Sequence, residues 1–320
     1  MNVRRLIPTV TVAGAVALGL TAVTGCSSSD VAADKKNGGK LGVVASFYPM
    51  QYLAEEIGGD HVTVTGLTQP GVEPHDLELS PRQAAQLGEA DFILYLKGVQ
   101  PAVDKAIEQA GVKNTVDAAT LTELEHHGTE VNHDHGHGGE DHKGGESGGD
   151  PHIWLDPVKY AEVAKGVGKA MEKADPSHAA DYKKNTDELV KKLDALDTEY
   201  VNGLKNTTTR TFITTHSAFG YLAERYGLDQ EGIAGLDPES EPSPARIKEL
   251  QDIARKEKVP TVFFETLASD KTAKTLAEDA HLKTAVLDPI EGITDKSKGD
   301  DYIEVMESNL AALQQALGAK

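Results

Sequence analysis

Histidine and carboxylate side chains are the groups in this sequence that could do chemistry. The chain holds twelve histidines and a single cysteine, Cys26. One cysteine excludes an internal disulfide and every cysteine-rich zinc module, so a bound metal must be held by imidazole and carboxylate groups. The 320 residues carry 32 Lys and Arg against 51 Asp and Glu, a formal net charge of −19. Such a surface repels nucleic-acid phosphates and attracts cations.

Three histidines stand where ligand sites form in open α/β sheets. His75 lies in a turn shaped by Gly and Pro after a predicted strand, 62–67, and His216 ends another, 211–215. His152 lies close to the only tryptophan of the chain. Loops that border strand ends are where such sheets bind ligands. Each could instead be a hydrogen-bonded loop residue, but three in similar settings favour a site. The histidines expected to be solvated surface residues are His61, His178 and His281.

Residues 126–150 have a composition that cannot form a core. They include 6 His, 8 Gly and 6 Asp or Glu among 25 residues, which predicts a disordered loop. Six imidazoles mixed with carboxylates favour weak accessory metal binding, and the alternative is a linker whose composition merely tolerates metal. The histidines concerned are His126, His127, His133, His135, His137 and His142.

The first residues are typical of an export signal. Arg4 and Arg5 precede a nearly uncharged apolar run within residues 1–25, which is too short for a permanent membrane span. The run Val23-Thr24-Gly25-Cys26 resembles a bacterial lipobox; the alternative is an ordinary signal peptide cleaved elsewhere. Lipidation of Cys26 would tether the chain to the outer face of the cytoplasmic membrane without embedding it. Residues 26–40 are polar and suit a flexible tether.

Elements of two kinds alternate from residue 41 onward. Short β-branched or aromatic runs alternate with helical periods, as in α/β layers. Strands are predicted at 41–47, 62–67, 92–96, 211–215, 261–264 and 284–287. Helices are predicted at 81–87, 158–173, 244–256 and 302–317, among others.

One predicted helix is much longer than the rest. From Pro176 to Leu204, six large apolar residues recur at spacings of 7, 4, 3, 4 and 4, which indicates a single amphipathic helix. At about 1.5 Å per residue it would span roughly 40 Å and could act as a stiff strut between two halves. The alternative is an ordinary helix packed within one lobe.

Five motifs in order resemble one family. They are Phe47-Tyr48-Pro49, Glu73-Pro74-His75-Asp76, the run from Asp150 to Pro157, the run from His216 to Tyr221, and Glu241-Pro242-Ser243. Together they resemble the solute-binding proteins of zinc and manganese ABC importers, over essentially all of 41–320. The resemblance implies an α/β fold of two Rossmann-like lobes, 41–175 and 207–320, joined by a long rigid helix, 176–206. It places a metal in the cleft between the lobes.

The resemblance also implies the ligands. His75 and His152 would come from the N-terminal lobe and His216 from the C-terminal lobe. Members of the family usually supply a carboxylate from the last strand-loop, or leave the fourth position to water. Both Asp288 and Glu291 qualify in this chain, and Asp288 is slightly favoured because it stands immediately at the predicted strand end.

Two further carboxylates, Glu73 and Glu265, could orient an imidazole. Three neutral imidazoles with one carboxylate or water suit Zn²⁺, whereas manganese members of the family tend to replace the third histidine with Glu. The resemblance thus implies a monomeric, non-enzymatic, extracytoplasmic protein that delivers Zn²⁺ to a membrane permease and its ATPase. The alternatives are an importer component for manganese or another divalent metal, a metal-dependent surface adhesin and a zinc hydrolase. The hydrolase is disfavoured because the sequence has no H-E-x-x-H motif.

Overall fold

Two four-stranded sheets form the scaffold of the part of the chain that the structure describes. The computed structural model describes residues 39–128 and 149–319. The strands within these ranges are β1 (Leu41–Ala45), β2 (Val62–Gly66), β3 (Phe92–Tyr95), β4 (Thr115–Asp117), β5 (Thr211–Thr214), β6 (Asp229–Gly232), β7 (Thr261–Phe264) and β8 (Lys283–Val286). The first sheet has the order β2-β1-β3-β4 and the second the order β6-β5-β7-β8, and every pairing is parallel.

The same strand order in both sheets gives each lobe the same kind of ligand-binding edge. In each lobe the second strand pairs with one edge of the first strand, and the third strand pairs with the other edge of the first strand. A crevice forms where the order reverses, outside the carboxyl ends of the strands. Strands β1, β3, β5 and β7 are largely buried, as expected for parallel sheets covered by helices on both faces.

Helices cover the two sheets. They are α1 (Tyr48–Gly58), α2 (Pro81–Glu89), α3 (Pro101–Ala110), α4 (Pro157–Ala174), α5 (Ala179–Leu204), α6 (Gly220–Tyr226), α7 (Pro244–Lys256), α8 (Lys271–Ala280) and α9 (Tyr302–Leu317). Proline in the first turn, which has no amide hydrogen to leave unpaired, begins α2, α4 and α7. Ser80 and Ser243 cap α2 and α7 by accepting a backbone N–H. Within the described ranges, no helix is long and apolar enough to cross a membrane.

Helix α5 joins the two lobes. Its 26 residues correspond to about 39 Å, and a 3₁₀ turn at Pro176–His178 precedes it, so the predicted helix begins in 3₁₀ geometry. Near its start, the Asn185 side chain donates to the carbonyl of Ile57 over 3.0 Å. Near its end, the Tyr200 hydroxyl donates to the carbonyl of Met306 in α9 over 2.7 Å. The buried face of α5 therefore packs on helices of both lobes.

Candidate metal centre

Four side chains from four separate loops meet between the lobes. His75 lies between β2 and α2, and His152 lies just before the 3₁₀ turn Ile153–Leu155 that leads into α4. His216 follows β5 by two residues, and Glu291 lies in the loop after β8. Their ligand atoms all lie within 4.8 Å of one another. The sheet edges thus bring together residues up to 216 positions apart in the chain.

The three imidazoles converge on one oxygen atom. Glu291 Oε1 lies 3.4 Å from His75 Nε2, 3.5 Å from His152 Nε2 and 3.6 Å from His216 Nε2. These distances leave the four donor atoms around a common centre. Three nitrogens and one carboxylate oxygen are the donor set of a four-coordinate zinc site.

Carboxylates behind the site orient two of the rings. His152 Nδ1 donates to Asp150 Oδ1 over 2.7 Å, and the same oxygen accepts the backbone N–H of His152 over 2.9 Å. His216 Nδ1 donates to Glu265 Oε1 over 2.8 Å. A proton held on Nδ1 leaves the lone pair of Nε2 pointing at the centre, which is the arrangement that metal-binding histidines use.

The ligand atoms of the site are buried, so leaving them without a partner destabilises the folded protein. His152, His216 and Glu291 are at most 1% exposed. Within residues 39–128 and 149–319, Nε2 of both histidines and Oε2 of Glu291 find no hydrogen-bond partner. A buried polar atom without a partner is destabilising, by about 1–3 kcal/mol. A cation held among them would satisfy all three, so the residues fit a metal ion.

The charges of the site favour a cation over a neutral ligand. Burial would raise the pKa of Glu291, but the three imidazoles that face its carboxylate hold that pKa well below its usual range. Burial would lower the pKa values of His152 and His216, but Asp150 and Glu265 respectively raise them. His152 and His216 therefore hold their protons more tightly than free imidazole does, and a metal must displace a proton from each.

Comparison with known proteins identifies the family. A family model described as "Zinc-uptake complex component A periplasmic", ZnuA, matches residues 43–316. The chain belongs to the ZnuA family. This membership confirms the family expected from the sequence.

Individual relatives agree with this membership. The high-affinity zinc uptake system protein ZnuA of Bacillus subtilis is 38% identical over 307 residues, covering 94% of this chain and 95% of that protein. The zinc-binding lipoprotein AdcA of Streptococcus pneumoniae serotype 4 is 37% identical over 286 residues, covering 88% of this chain and 56% of AdcA. This chain therefore spans about half the length of that relative.

A solved structure supports the two-lobed fold. The crystal structure of the Zn(II)-bound ZnuA-like domain of Streptococcus pneumoniae AdcA superposes with a TM-score of 0.71 at 34% identity. The superposition covers 87% of this chain and 99% of that domain. The predicted α/β fold, with two lobes and a long joining helix, is confirmed.

The carboxylate that lies with the three histidines is not the one that the sequence slightly favours. Glu291 joins the three histidines, and Asp288 does not. Asp288 Oδ1 accepts the backbone N–H of Ile290 over 2.8 Å, and its Oδ2 accepts the hydroxyl of Thr266 over 2.9 Å. Ile290 has a φ of 60°, in the left-handed region. Asp288 thus shapes the turn that carries Glu291 into the centre, and its own carboxylate is occupied there.

The two carboxylates expected behind the site have different partners. Glu265 faces His216 Nδ1, as described above. Glu73 instead accepts the backbone N–H of His75 over 3.2 Å, and burial together with the charge of Glu291 raises its pKa to about 9.

The sequence analysis did not predict Asp150, which orients His152. The available signal was its position two residues before His152, across Pro151.

The remaining sequence assignments fall outside the centre or outside the described residues. Cys26, the predicted signal peptide and most of the tether lie outside them, as do His133, His135, His137 and His142. His61 and His178, expected to be solvated, stack on each other with ring centroids 4.0 Å apart. His126 and His127 lie away from the four-residue centre, and His127 belongs to a second cluster.

Proposed function

We propose that this protein is the extracytoplasmic Zn²⁺-binding component of an ABC importer, and that His75, His152, His216 and Glu291 hold the ion. The observation that carries the proposal is the convergence of three Nε2 atoms on Glu291 Oε1 at 3.4–3.6 Å inside a buried site. Such a site is built for one small cation. It has no room for a larger solute among these four side chains.

Zinc is the divalent ion that the donor set and the relatives favour together. Imidazole also suits Cu²⁺ and Ni²⁺, which the general affinity order places above or near Zn²⁺, so ligand type alone does not select zinc. Manganese prefers oxygen ligands, and three of the four donors are nitrogens. The B. subtilis and S. pneumoniae relatives are named for zinc, which supports Zn²⁺ as the transported ion.

Capture and release would use no covalent chemistry. His75 and His152 belong to the first lobe, and His216 and Glu291 belong to the second, so each lobe supplies half of the ligands. A small separation of the lobes would break the shell and lower the affinity for the ion. Helix α5 is a stiff connection, which restricts the motion to small shifts compared with hinge-type binding proteins. A membrane permease with its ATPase would exploit this motion.

Attachment to the membrane would occur through lipid alone. The lipobox-like Val23-Thr24-Gly25-Cys26 and the name of the AdcA relative, a lipoprotein, support a lipid anchor at Cys26. A lipid anchor would hold the binding protein near its permease. Globomycin, which blocks lipoprotein signal cleavage, should then cause a larger precursor to accumulate, and a Cys26→Ser variant should lose labelling by palmitate.

A histidine substitution with a matched control tests the metal site. We expect His152→Asn to weaken Zn²⁺ binding severely, measured by competition with a chromophoric chelator. The control is His281→Asn, because His281 is exposed and adopts a φ of 54° that asparagine tolerates. Cells that depend on the His152→Asn protein should fail to grow only when zinc is limiting. Equal zinc affinity in the two variants would contradict the proposal.

A further inference from the structure

One buried carboxylate contacts two histidines that lie on opposite sides of it. Asp150 Oδ1 accepts His152 Nδ1 at 2.7 Å, and Asp150 Oδ2 accepts His127 Nδ1 at 3.0 Å. Asp150 is 1% exposed. The residue that orients a histidine of the metal centre therefore also orients a histidine outside it.

The other ring nitrogen of His127 faces two glutamates. Its Nε2 lies 2.8 Å from Glu224 Oε2, and ligand atoms of Glu125, His127 and Glu224 all lie within 4.8 Å of one another. The side chain of His127 is 16% exposed and that of Glu224 is 60% exposed. This cluster therefore has the mixed donors of a metal site, and solvent reaches it.

The position of the His127 ring is determined by its neighbours as well as by Asp150. A Cβ atom at Gly220 would lie 2.4 Å from Cβ of His127, so only glycine permits this approach at the start of α6. The Tyr221 ring packs edge-on against the imidazole at 4.5 Å. The Tyr221 hydroxyl accepts the N–H of Glu125 and donates to the carbonyl of Asp150, both over 2.8 Å. The ring is thus held in one orientation before any ion binds.

Negative charge exceeds positive charge around this imidazole. Burial would lower the pKa of His127, but hydrogen bonds with Asp150 and Glu224 raise it. Lys159 Nζ lies 2.6 Å from Glu125, so even with His127 protonated two cations face three carboxylates. His127 and Glu224 also line a cavity of about 430 Å³, together with Arg246, whose guanidinium donates to Glu231 and Glu249. A divalent cation could enter from that cavity and balance the excess charge.

We propose that Glu125, His127 and Glu224 form a second, weaker divalent-metal site that shares Asp150 with the primary centre. One imidazole nitrogen and two carboxylate oxygens, with water in the fourth position, suit Zn²⁺. The identity of the ion rests on the proposed function. The site is weaker than the primary centre because it offers one nitrogen instead of three and is more exposed. It differs from diffuse binding by the histidine-rich segment, since Glu125 and Glu224 lie outside residues 126–150.

The shared carboxylate gives the two sites a physical connection. A carboxylate that accepts from a metal-binding histidine sets the orientation and basicity of that ring. When His127 binds an ion, its hydrogen bond to Asp150 changes, and the bond from Asp150 to His152 must change with it. Any effect of the second ion on the affinity of the first is matched by an equal reciprocal effect.

The test uses the full chain with the other histidines of the segment silenced. His126, His133, His135, His137 and His142 are replaced by Asn in a parent variant, and bound Zn²⁺ is counted by equilibrium dialysis with elemental analysis. We expect the parent to bind two ions per chain and Glu224→Gln in that background to bind one. The matched control is Glu123→Gln, which makes the same change on an exposed residue outside the cluster and should keep two. A parent that binds one ion, or a Glu224→Gln variant that keeps two, would overturn the second site.

A variant that retains all three ligands provides a second test. Gly220→Ala would displace the His127 ring and should also reduce the count to one. His216→Asn in the parent should remove the tight ion and keep the weak one. A His216→Asn variant that kept both ions would contradict the proposed function and would leave the second site supported.

Cadmium NMR tests the connection through Asp150. With ¹¹³Cd²⁺ as the probe, the parent should show one resonance after the first equivalent and a second after the next. We expect the second equivalent to shift the first resonance, and Glu224→Gln to abolish that shift. A first resonance that stays in place as the second site fills would contradict the shared role of Asp150.

Discussion

The indole N–H of Trp154 donates to the carbonyl oxygen of Pro289 over 2.6 Å, inside the protein. This hydrogen bond joins the segment that carries His152 to the loop that carries Glu291. The backbone of Trp154 in turn accepts the hydroxyl of Tyr302, in α9, over 2.5 Å. The only tryptophan of the chain therefore fixes the distance between ligands of opposite lobes.

Trp154→Phe should weaken both the fold and the metal centre. Phenylalanine keeps most of the apolar contact but leaves the buried carbonyl of Pro289 without its donor, which costs about 1–3 kcal/mol. We expect the free energy of unfolding in urea to fall by that amount and the zinc affinity to fall because Glu291 is held less firmly. An unchanged midpoint together with unchanged zinc affinity would show that the hydrogen bond contributes nothing.

Glu265→Gln tests the orientation of His216. The glutamate accepts His216 Nδ1–H over 2.8 Å, and it also accepts the hydroxyl of Thr215. Loss of such a partner typically reduces metal affinity by about 10–100-fold. We expect a reduction in this range by competition titration, and no reduction in the matched variant Glu278→Gln on the exposed side of α8. A Glu265→Gln protein with wild-type affinity would exclude this orienting role.

Sequence patterns predicted the buried elements well and the polar ones poorly. The runs at 92–96, 211–215 and 261–264 correspond to β3, β5 and β7, because central parallel strands are continuously apolar. Strand β6, Asp229–Gly232, was not predicted, since its sequence Asp-Gln-Glu-Gly has no β-branched residue. It forms because the backbone of β5 offers hydrogen-bonding partners at the sheet edge, which is a tertiary effect.

The site was predictable as far as residue types and loop positions determine it. His75, His152 and His216 each lie at loop ends that the strand pattern locates. The choice between Asp288 and Glu291 depends on the local turn, in which Ile290 takes a positive φ and Asp288 accepts its N–H. The hydrophobic periodicity of the sequence does not indicate such a turn. The pairing of Asp150 with His127 joins residues that are 23 positions apart. The composition of the segment between them does not predict this contact.

Zinc affinity should fall as the pH is lowered. An imidazolium must lose the proton on Nε2 before that nitrogen can bind the metal, while Nδ1–H continues to donate to Asp150 or Glu265. Because these carboxylates raise the pKa values of His152 and His216, protons begin to compete above the pH of about 6.5 at which free histidine titrates. Isothermal titration at pH 7.5 and 5.5, in buffers of different ionisation enthalpy, should show weaker binding at the lower pH and proton release on binding. Equal affinities at both values would argue against a three-histidine site.

The fourth ligand can be identified by comparing two amide substitutions three residues apart. Glu291→Gln removes the charge that all three imidazoles face and should lower the zinc affinity far more than Asp288→Asn does. Asp288→Asn keeps an oxygen that can accept the N–H of Ile290 and loses the oxygen that accepts the hydroxyls of Thr266 and Ser297. That second change should cost about 1 kcal/mol of folding free energy and leave the metal ligands in place. Competition titration gives the affinities and urea denaturation gives the stabilities of both proteins. If Asp288→Asn lost zinc binding while Glu291→Gln kept it, the ion would be held by the carboxylate at the strand end, and the turn at Ile290 would have another role.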